Sequence, residues 1–211
     1  MDLEDTLALA ADLRKRLRFA GWRMRLELVG SARRGEEHNT DVDFLVIGGQ
    51  STPAAVRAAL LANVELAPAR AGARAGARAA TMVTGGARAR ALPAGPRRRS
   101  ILVKWLCNCN CNYTGKSTSA SARAIARTVQ VDLFFVQPKE LPYALFHYTG
   151  SRQYNIRTRA HARARGWRLN QYGLYAGDSD RRVKGSGRIR SERDLAAFLG
   201  VGYRAPNNRE K

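Results

Sequence analysis

The chain has 211 residues, a formal net charge of +20 and an isoelectric point near 11.2, which allows one domain or two small subdomains and a field that attracts polyanions. No apolar run approaches the ~20 residues of a membrane span, no apolar signal-peptide core follows the acidic start, and three cysteines give no disulfide framework. This excludes a membrane-spanning protein and a disulfide-built secreted scaffold; an intracellular monomer is expected.

Asp2 to Phe19 reads as a helix. Leu3, Leu7, Ala10, Leu13 and Leu17 recur at helical spacing, with acids early and Arg14, Lys15, Arg16 and Arg18 late, which suits the helix dipole. Gly21 ends it, and Trp22 to Val29 alternates as a half-buried strand with Trp22, Met24, Leu26 and Leu28 on one face. That strand delivers the chain to a turn of small residues and arginines, Gly30-Ser31-Ala32-Arg33-Arg34-Gly35. A second strand then opens on Asp41-Val42-Asp43 and continues to Ile47.

Side chains on a strand alternate faces, so Asp41 and Asp43 point the same way. Two adjacent carboxylates repel unless a cation lies between them, and hard divalent cations take carboxylate and phosphate oxygens. Small residues and guanidinium forks beside them suit phosphate. An isolated Asp-x-Asp is more often a solvated strand end; the whole string is what points to nucleotidyl transfer.

Ser51-Thr52-Pro53 starts a helix that runs to about Asn63. Residues 67–99 are Ala, Arg, Gly and Pro in near-repeats, and most of the stretch reads as a disordered or weakly ordered insertion, a solvated basic loop. Ser100 to Cys107 is a strand, and Asn108 to Arg123 a polar loop. Cys107, Cys109 and Cys111 can share a face, but a zinc site wants four ligands at wider spacing. Ile125 to Val136 is a strand with Asp132 set in apolar sequence, where a carboxylate needs a reason to be. Folding 100–136 as a hairpin lays Asp132 beside Asp41 and Asp43, giving three carboxylates, enough for two metals about 3.5–4 Å apart.

Pro138 and Pro142 mark a boundary. Beyond it Tyr143, Phe146, His147, Tyr148, Tyr154, Tyr172, Tyr175 and Tyr203 are interleaved with arginines, and residues 150–211 hold thirteen Arg and two Lys against five acids. Aromatics with Arg suit base stacking and phosphate contact. Ser151 caps a helix to about Gly166 that carries Arg157, Arg159, Arg163 and Arg165. Short strands follow at Trp167–Tyr172 and Gly173–Tyr175, and a helix capped by Ser191 runs to Leu199.

The string from Gly30 to Asp43 resembles the nucleotidyltransferase signature of family X DNA polymerases, the polymerase beta family. Val131–Phe134, Tyr148-Thr149-Gly150-Ser151, Asn155, Arg159-Ala160-His161, Asn170-Gln171-Tyr172 and Tyr203-Arg204-Ala205-Pro206 follow at the family's spacing. Minimal viral members of the family also carry His at the position of His147. The resemblance implies an α+β fold: a nucleotidyltransferase palm over 1–137, interrupted by 67–99, then a small basic C-terminal subdomain over 138–211 that binds nucleotide and template, with no N-terminal lyase domain. It implies a template-directed polymerase that fills short gaps in DNA repair, such as base excision repair, with gapped or nicked duplex DNA and dNTP as partners.

By the same resemblance Asp41, Asp43 and Asp132 are catalytic and hold two Mg2+ ions, for which Mn2+ can substitute. Gly30, Ser31 and Arg34 take the triphosphate; His147, Tyr148 and Gly150 line the sugar; Asn155 meets the incoming base. Arg159 reaches the template strand, and Arg157, Arg163, Arg168 and Tyr172 complete the DNA contacts. The chain departs from polymerase beta at Gln130, where an Arg precedes the third Asp, and at Arg152, where an Asp follows Thr-Gly-Ser. The rival readings are a template-independent terminal nucleotidyltransferase, a small-molecule nucleotidyltransferase and a non-enzymatic basic nucleic-acid-binding protein.

Overall fold

The computed structural model describes residues 1–19, 25–48, 79–82, 94–95, 97–107 and 125–209. The predicted helix from Ser51, the loop 108–123 with Cys109 and Cys111, most of 67–99, and Trp22 and Met24 lie outside them.

Helix α1 (Leu3–Phe19) carries Glu4 and Asp5 in its first turn. Leu9, Ala10 and Leu13 are buried. Leu7, expected on the apolar stripe, is 48 % exposed, because Leu9 takes the core side instead.

The sheet runs in the order β1 (Arg25–Leu28), β2 (Asp41–Ile47), β6 (Ile125–Val136), β5 (Arg98–Cys107), β3 (Ala79–Met82), with β4 (Ala94–Gly95) also paired to β5. β2 and β6 are parallel, and the other pairs are antiparallel, so the mixed sheet stands as expected. Within 67–99, β3 and β4 are short paired segments, and most of the rest of that stretch lies outside the described residues. The backbones of β3 and β4 complete the ladder at β5, and edge pairing needs N–H and C=O groups rather than an apolar side-chain pattern.

Alternation gives the sheet two distinct faces. One packs Val42, Phe44, Val46, Val129, Val131 and Leu133 under α1. The other buries Leu45, Ile47, Phe134 and Val136 with Ala144, and on this face, where the apolar residues give out, the same alternation brings Asp41, Asp43 and Asp132.

Ala144 belongs to helix α3 (Leu141–Thr149), which begins at the segment the prolines marked as a boundary. Pro142 sits in its first turn, where a missing N–H costs nothing. Helix α4 (Arg152–Ala164) follows, with the Ser151 hydroxyl accepting from the Tyr154 N–H at 3.3 Å. Strands β7 (Trp167–Asn170) and β8 (Gly173–Ala176) form a hairpin. Its turn is closed by Asn170 Oδ1, which accepts from the N–H groups of Tyr172 and Gly173 at 2.9 and 3.1 Å. Helix α5 (Glu192–Leu199) starts with a capping box between Ser191 and Asp194.

These C-terminal elements share their own core, built on Tyr143, Phe146, Tyr154, Leu174, Leu195 and Leu199. That corrects the grouping of all the aromatics as stacking surface: Tyr143, Phe146 and Tyr154 are 2 %, 1 % and 4 % exposed. An arginine interleaved with them, Arg209, is itself fully buried over the Phe146 and Tyr154 rings.

Candidate active site

Gly30–Arg34, expected as a turn, is a five-residue helix, α2, closed by Gly35 in the left-handed region at φ 78°. Gly30 itself has φ 69°, and a Cβ there would collide with the Asp43 carboxylate. Only glycine lets the backbone pass this close to the acid.

Across the parallel ladder Asp43 is paired with Asp132, and Asp41 with Gln130. The three carboxylates offer oxygens that all lie within 4.8 Å of one another. Burial, then the charges of Asp41 and Asp132, push the Asp43 carboxyl up to about 7, against the opposing pull of Arg98 and Arg34. A carboxylate cluster that resists ionisation is short of positive charge, and an all-oxygen donor set fits a hard divalent cation.

Asp132 is 2 % exposed and held on both oxygens. Arg98 Nη2 donates to Oδ2 at 2.5 Å and Gln130 Nε2 to Oδ1 at 3.1 Å. Arg98 also lies over the Phe134 ring, which stacks on Tyr148 with centroids 4.1 Å apart.

Beside the acids opens a cavity of about 560 Å³. Gly30, Ser31 and Arg34 form its α2 wall, and His147, Tyr148 and Gly150 the facing wall. Asn155 and Arg159 reach it from α4. The Ser31 hydroxyl donates to Asn39 Oδ1 at 2.6 Å, and Arg34 Nη1 to the Thr149 carbonyl at 2.7 Å. Gly150, at φ 72°, packs against that guanidinium; a Cβ there would lie 3.1 Å from Arg34 Nη1.

Asn155 Nδ2 donates to the His147 carbonyl and Arg159 Nη2 to His147 Nδ1, both at 2.7 Å. Because arginine only donates, Nδ1 is unprotonated and the ring proton sits on Nε2. Burial, reinforced by Arg159, drops the imidazole to about 4, so it is neutral at physiological pH.

The remaining expected DNA contacts lie elsewhere. Arg163 is exposed, and Arg157 is exposed beside a second cavity of about 270 Å³. Arg168 is engaged by the Ser179 carbonyl and Asp180, over the Tyr175 ring. Tyr172 lies half-buried under Arg97.

Sequence reasoning missed several residues. Arg152 and Ile156 line the cavity from the exposed side of α4; helical phase from Asn155 and Arg159 placed them nearby. Arg98 was hidden in a run of three arginines, and its partner follows only from the β5–β6 register. Arg33 on α2 donates to the Thr149 hydroxyl and to both Glu192 oxygens, at 3.1 and 2.6 Å. Arg209 takes the same carboxylate at 2.7 Å. Burial opposes the charge on Glu192, but Arg33 and Arg209 outweigh it and hold the carboxyl below its usual range.

Residues 144–210 match the family described as DNA polymerase beta thumb. Among curated proteins, the chain is 42 % identical over 83 residues to the repair DNA polymerase X of a Kenyan pig isolate of African swine fever virus. The match covers 39 % of this chain and 45 % of the viral protein. The same protein from a Malawian tick isolate is 41 % identical over 83 residues, with the same two coverages. That from a South African tick isolate is 40 % identical over 82 residues, again 39 % and 45 % of the two chains. The chain thus spans 45 % of the length of these curated relatives.

Proposed function

We propose that this chain is a template-directed DNA polymerase of the family X kind that fills short gaps during repair, a reading its likeness to the viral repair polymerases supports. The reaction is transfer of a nucleotidyl group from a dNTP to a primer 3′-hydroxyl, with pyrophosphate leaving. The observation that carries this reading is the convergence of Asp41, Asp43 and Asp132 within 4.8 Å, at the edge of a cavity walled by Arg34 and Tyr148.

In this reading the three carboxylates hold two Mg2+ ions, and Mn2+ substitutes. Cations held there would supply Lewis acidity, lowering the pKa of the 3′-hydroxyl and offsetting charge on the triphosphate. Arg34 and Ser31 bind the β- and γ-phosphates, and Gly30 lets them sit close to Asp43. His147, Tyr148 and Gly150 line the sugar, with His147 presenting Nε2–H. Asn155 meets the base edge, and Arg159 both fixes His147 and faces the template. Arg157, Arg163, Arg168 and Tyr172 contact DNA, so affinity is salt-dependent. Residues 1–137 act as the palm and 138–211 as the nucleotide- and template-binding subdomain, in a monomer on gapped or nicked duplex DNA.

The test is primer extension on a one-nucleotide gapped duplex with each dNTP singly and Mg2+, wild type beside Asp43→Ala. Template-matched insertion that the substitution removes is the expected result. Insertion without regard to template would replace this reading with terminal transfer.

A further inference from the structure

Asp132 is a buried carboxylate whose countercharge does not come from its own strand. Two residues earlier on β6, on the same face, stands the neutral Gln130. Directly across the ladder stands Ser100, 7 % exposed, whose hydroxyl has no hydrogen-bond partner. The charge comes from Arg98, two positions before Ser100 on β5 and on the same face, through the 2.5 Å contact with Oδ2. A carboxylate 2 % exposed is costly to ionise without such a partner. Each carboxylate oxygen has a further lone pair, so a guanidinium on Oδ2 and an amide on Oδ1 fix the carboxylate's rotation and still leave it able to ligate.

Resting on the metal-dependent transferase reading above, we propose that Arg98 is a positioning residue with two opposed effects on this site. It holds Asp132 in its ligating orientation, which favours turnover. It also places a fixed positive charge against the carboxylate cluster, which weakens cation binding in the absence of substrate. Its stacking over Phe134, itself stacked on Tyr148, ties the orientation of Asp132 to the cavity wall. The two effects are read by different measurements: a glutamine removes the charge and is too short to keep the Oδ2 contact, a lysine keeps the charge and a donor, and cation affinity reports the charge while kcat reports the orientation.

The experiment measures Mn2+ binding to the DNA-free and nucleotide-free protein by electron paramagnetic resonance, beside single-turnover extension, for wild type, Arg98→Gln, Arg98→Lys and Asp43→Ala. Loss of a unit charge within a few ångströms of the cluster tightens Mn2+ binding by about tenfold or more in Arg98→Gln. The same variant loses roughly 10–100-fold in kcat with little change in the KM for dNTP, as orienting partners of metal ligands do. Arg98→Lys keeps the wild-type Mn2+ affinity within about threefold and recovers most of the lost kcat. Unchanged or weaker Mn2+ binding in Arg98→Gln overturns the charge role, and undiminished kcat overturns the positioning role. If Arg98→Gln does not fold, Arg98→Lys decides: a kcat loss as large as that expected of the glutamine variant overturns the proposal. A wild type without Mn2+ binding that Asp43→Ala removes overturns the metal site itself, an outcome distinct from failure at Arg98.

Discussion

Asp43 on β2 and Asp132 on β6 are direct partners across a parallel ladder, so neighbouring strands, rather than a loop, set the spacing of their carboxylates. A site built on strands holds its geometry through the backbone ladder, and substitutions that keep the side-chain shape test the chemistry alone. On the proposed function, Asp132→Asn is therefore expected to abolish nucleotide insertion while leaving the affinity for gapped DNA within about twofold, because that reading gives the DNA contacts to surface arginines. Extension assays beside fluorescence anisotropy check this, and retained insertion would remove Asp132 from the ligand set.

The same crowding gives a pH signature. Asp43 keeps its proton in the fold up to about 7, against 3.8 for an ordinary aspartate. Between those values the folded chain binds more protons than the unfolded one, so stability falls as pH rises through that window. Without divalent cations the melting temperature is expected to drop by roughly 5–10 °C from pH 5 to pH 8. Saturating Mg2+ or Asp43→Asn should flatten the slope, as calorimetry can measure. Glu192, whose carboxyl is depressed, works in the opposite sense: its contribution is lost as pH falls through its lowered folded value.

Glu192 is held by Arg33 from α2 and by the fully buried Arg209. Removing the carboxylate leaves two guanidinium groups facing each other without a counterion. Glu192→Ala is expected to cost about 3–5 kcal/mol in urea unfolding. A loss below about 1 kcal/mol would mean the triad behaves like a surface pair.

Gly30→Ala tests the close approach of α2 to the acids. The new methyl meets the Asp43 carboxylate from a backbone held at φ 69°. Turnover is expected to fall by roughly 100-fold, since displacements of about 1 Å cost that much at a reacting centre. Circular dichroism should show the overall fold retained.

Arginines differ in how free they are to meet phosphate. Arg157 and Arg163 are exposed, whereas Arg168 is engaged by Asp180 and Tyr175. Arg157→Ala and Arg163→Ala should each reduce the slope of log affinity against log salt by about one, and Arg168→Ala by less. Equal slopes in all three variants would count against this ordering.

Much of this site was legible in the sequence because strand alternation is a local signal. Asp-Val-Asp phases itself, and the apolar neighbours of Asp132 announce a strand. Ser151 and Ser191 were recognisable as helix caps for the same reason. α3 is hidden in the sequence because Pro138 and Pro142 look like punctuation, although a proline in a first helical turn starts a helix as readily as it ends one. α2 is too short at five residues to show a period. Arg98 and Arg33 could not be assigned partners at all: one depends on the antiparallel register of β5 on β6, the other on packing across 159 positions of sequence.

That separation has a consequence for how the protein is made. α2, the wall expected to hold phosphate, leaves the ribosome long before Glu192 exists to steady Arg33. At roughly 5–20 residues per second, a separation of 159 residues delays the partner by roughly 8–30 s. The nascent N-terminal part thus spends that interval with Arg33 lacking its Glu192 carboxylate, and the cavity beside the acids is among the last parts of the molecule to be finished.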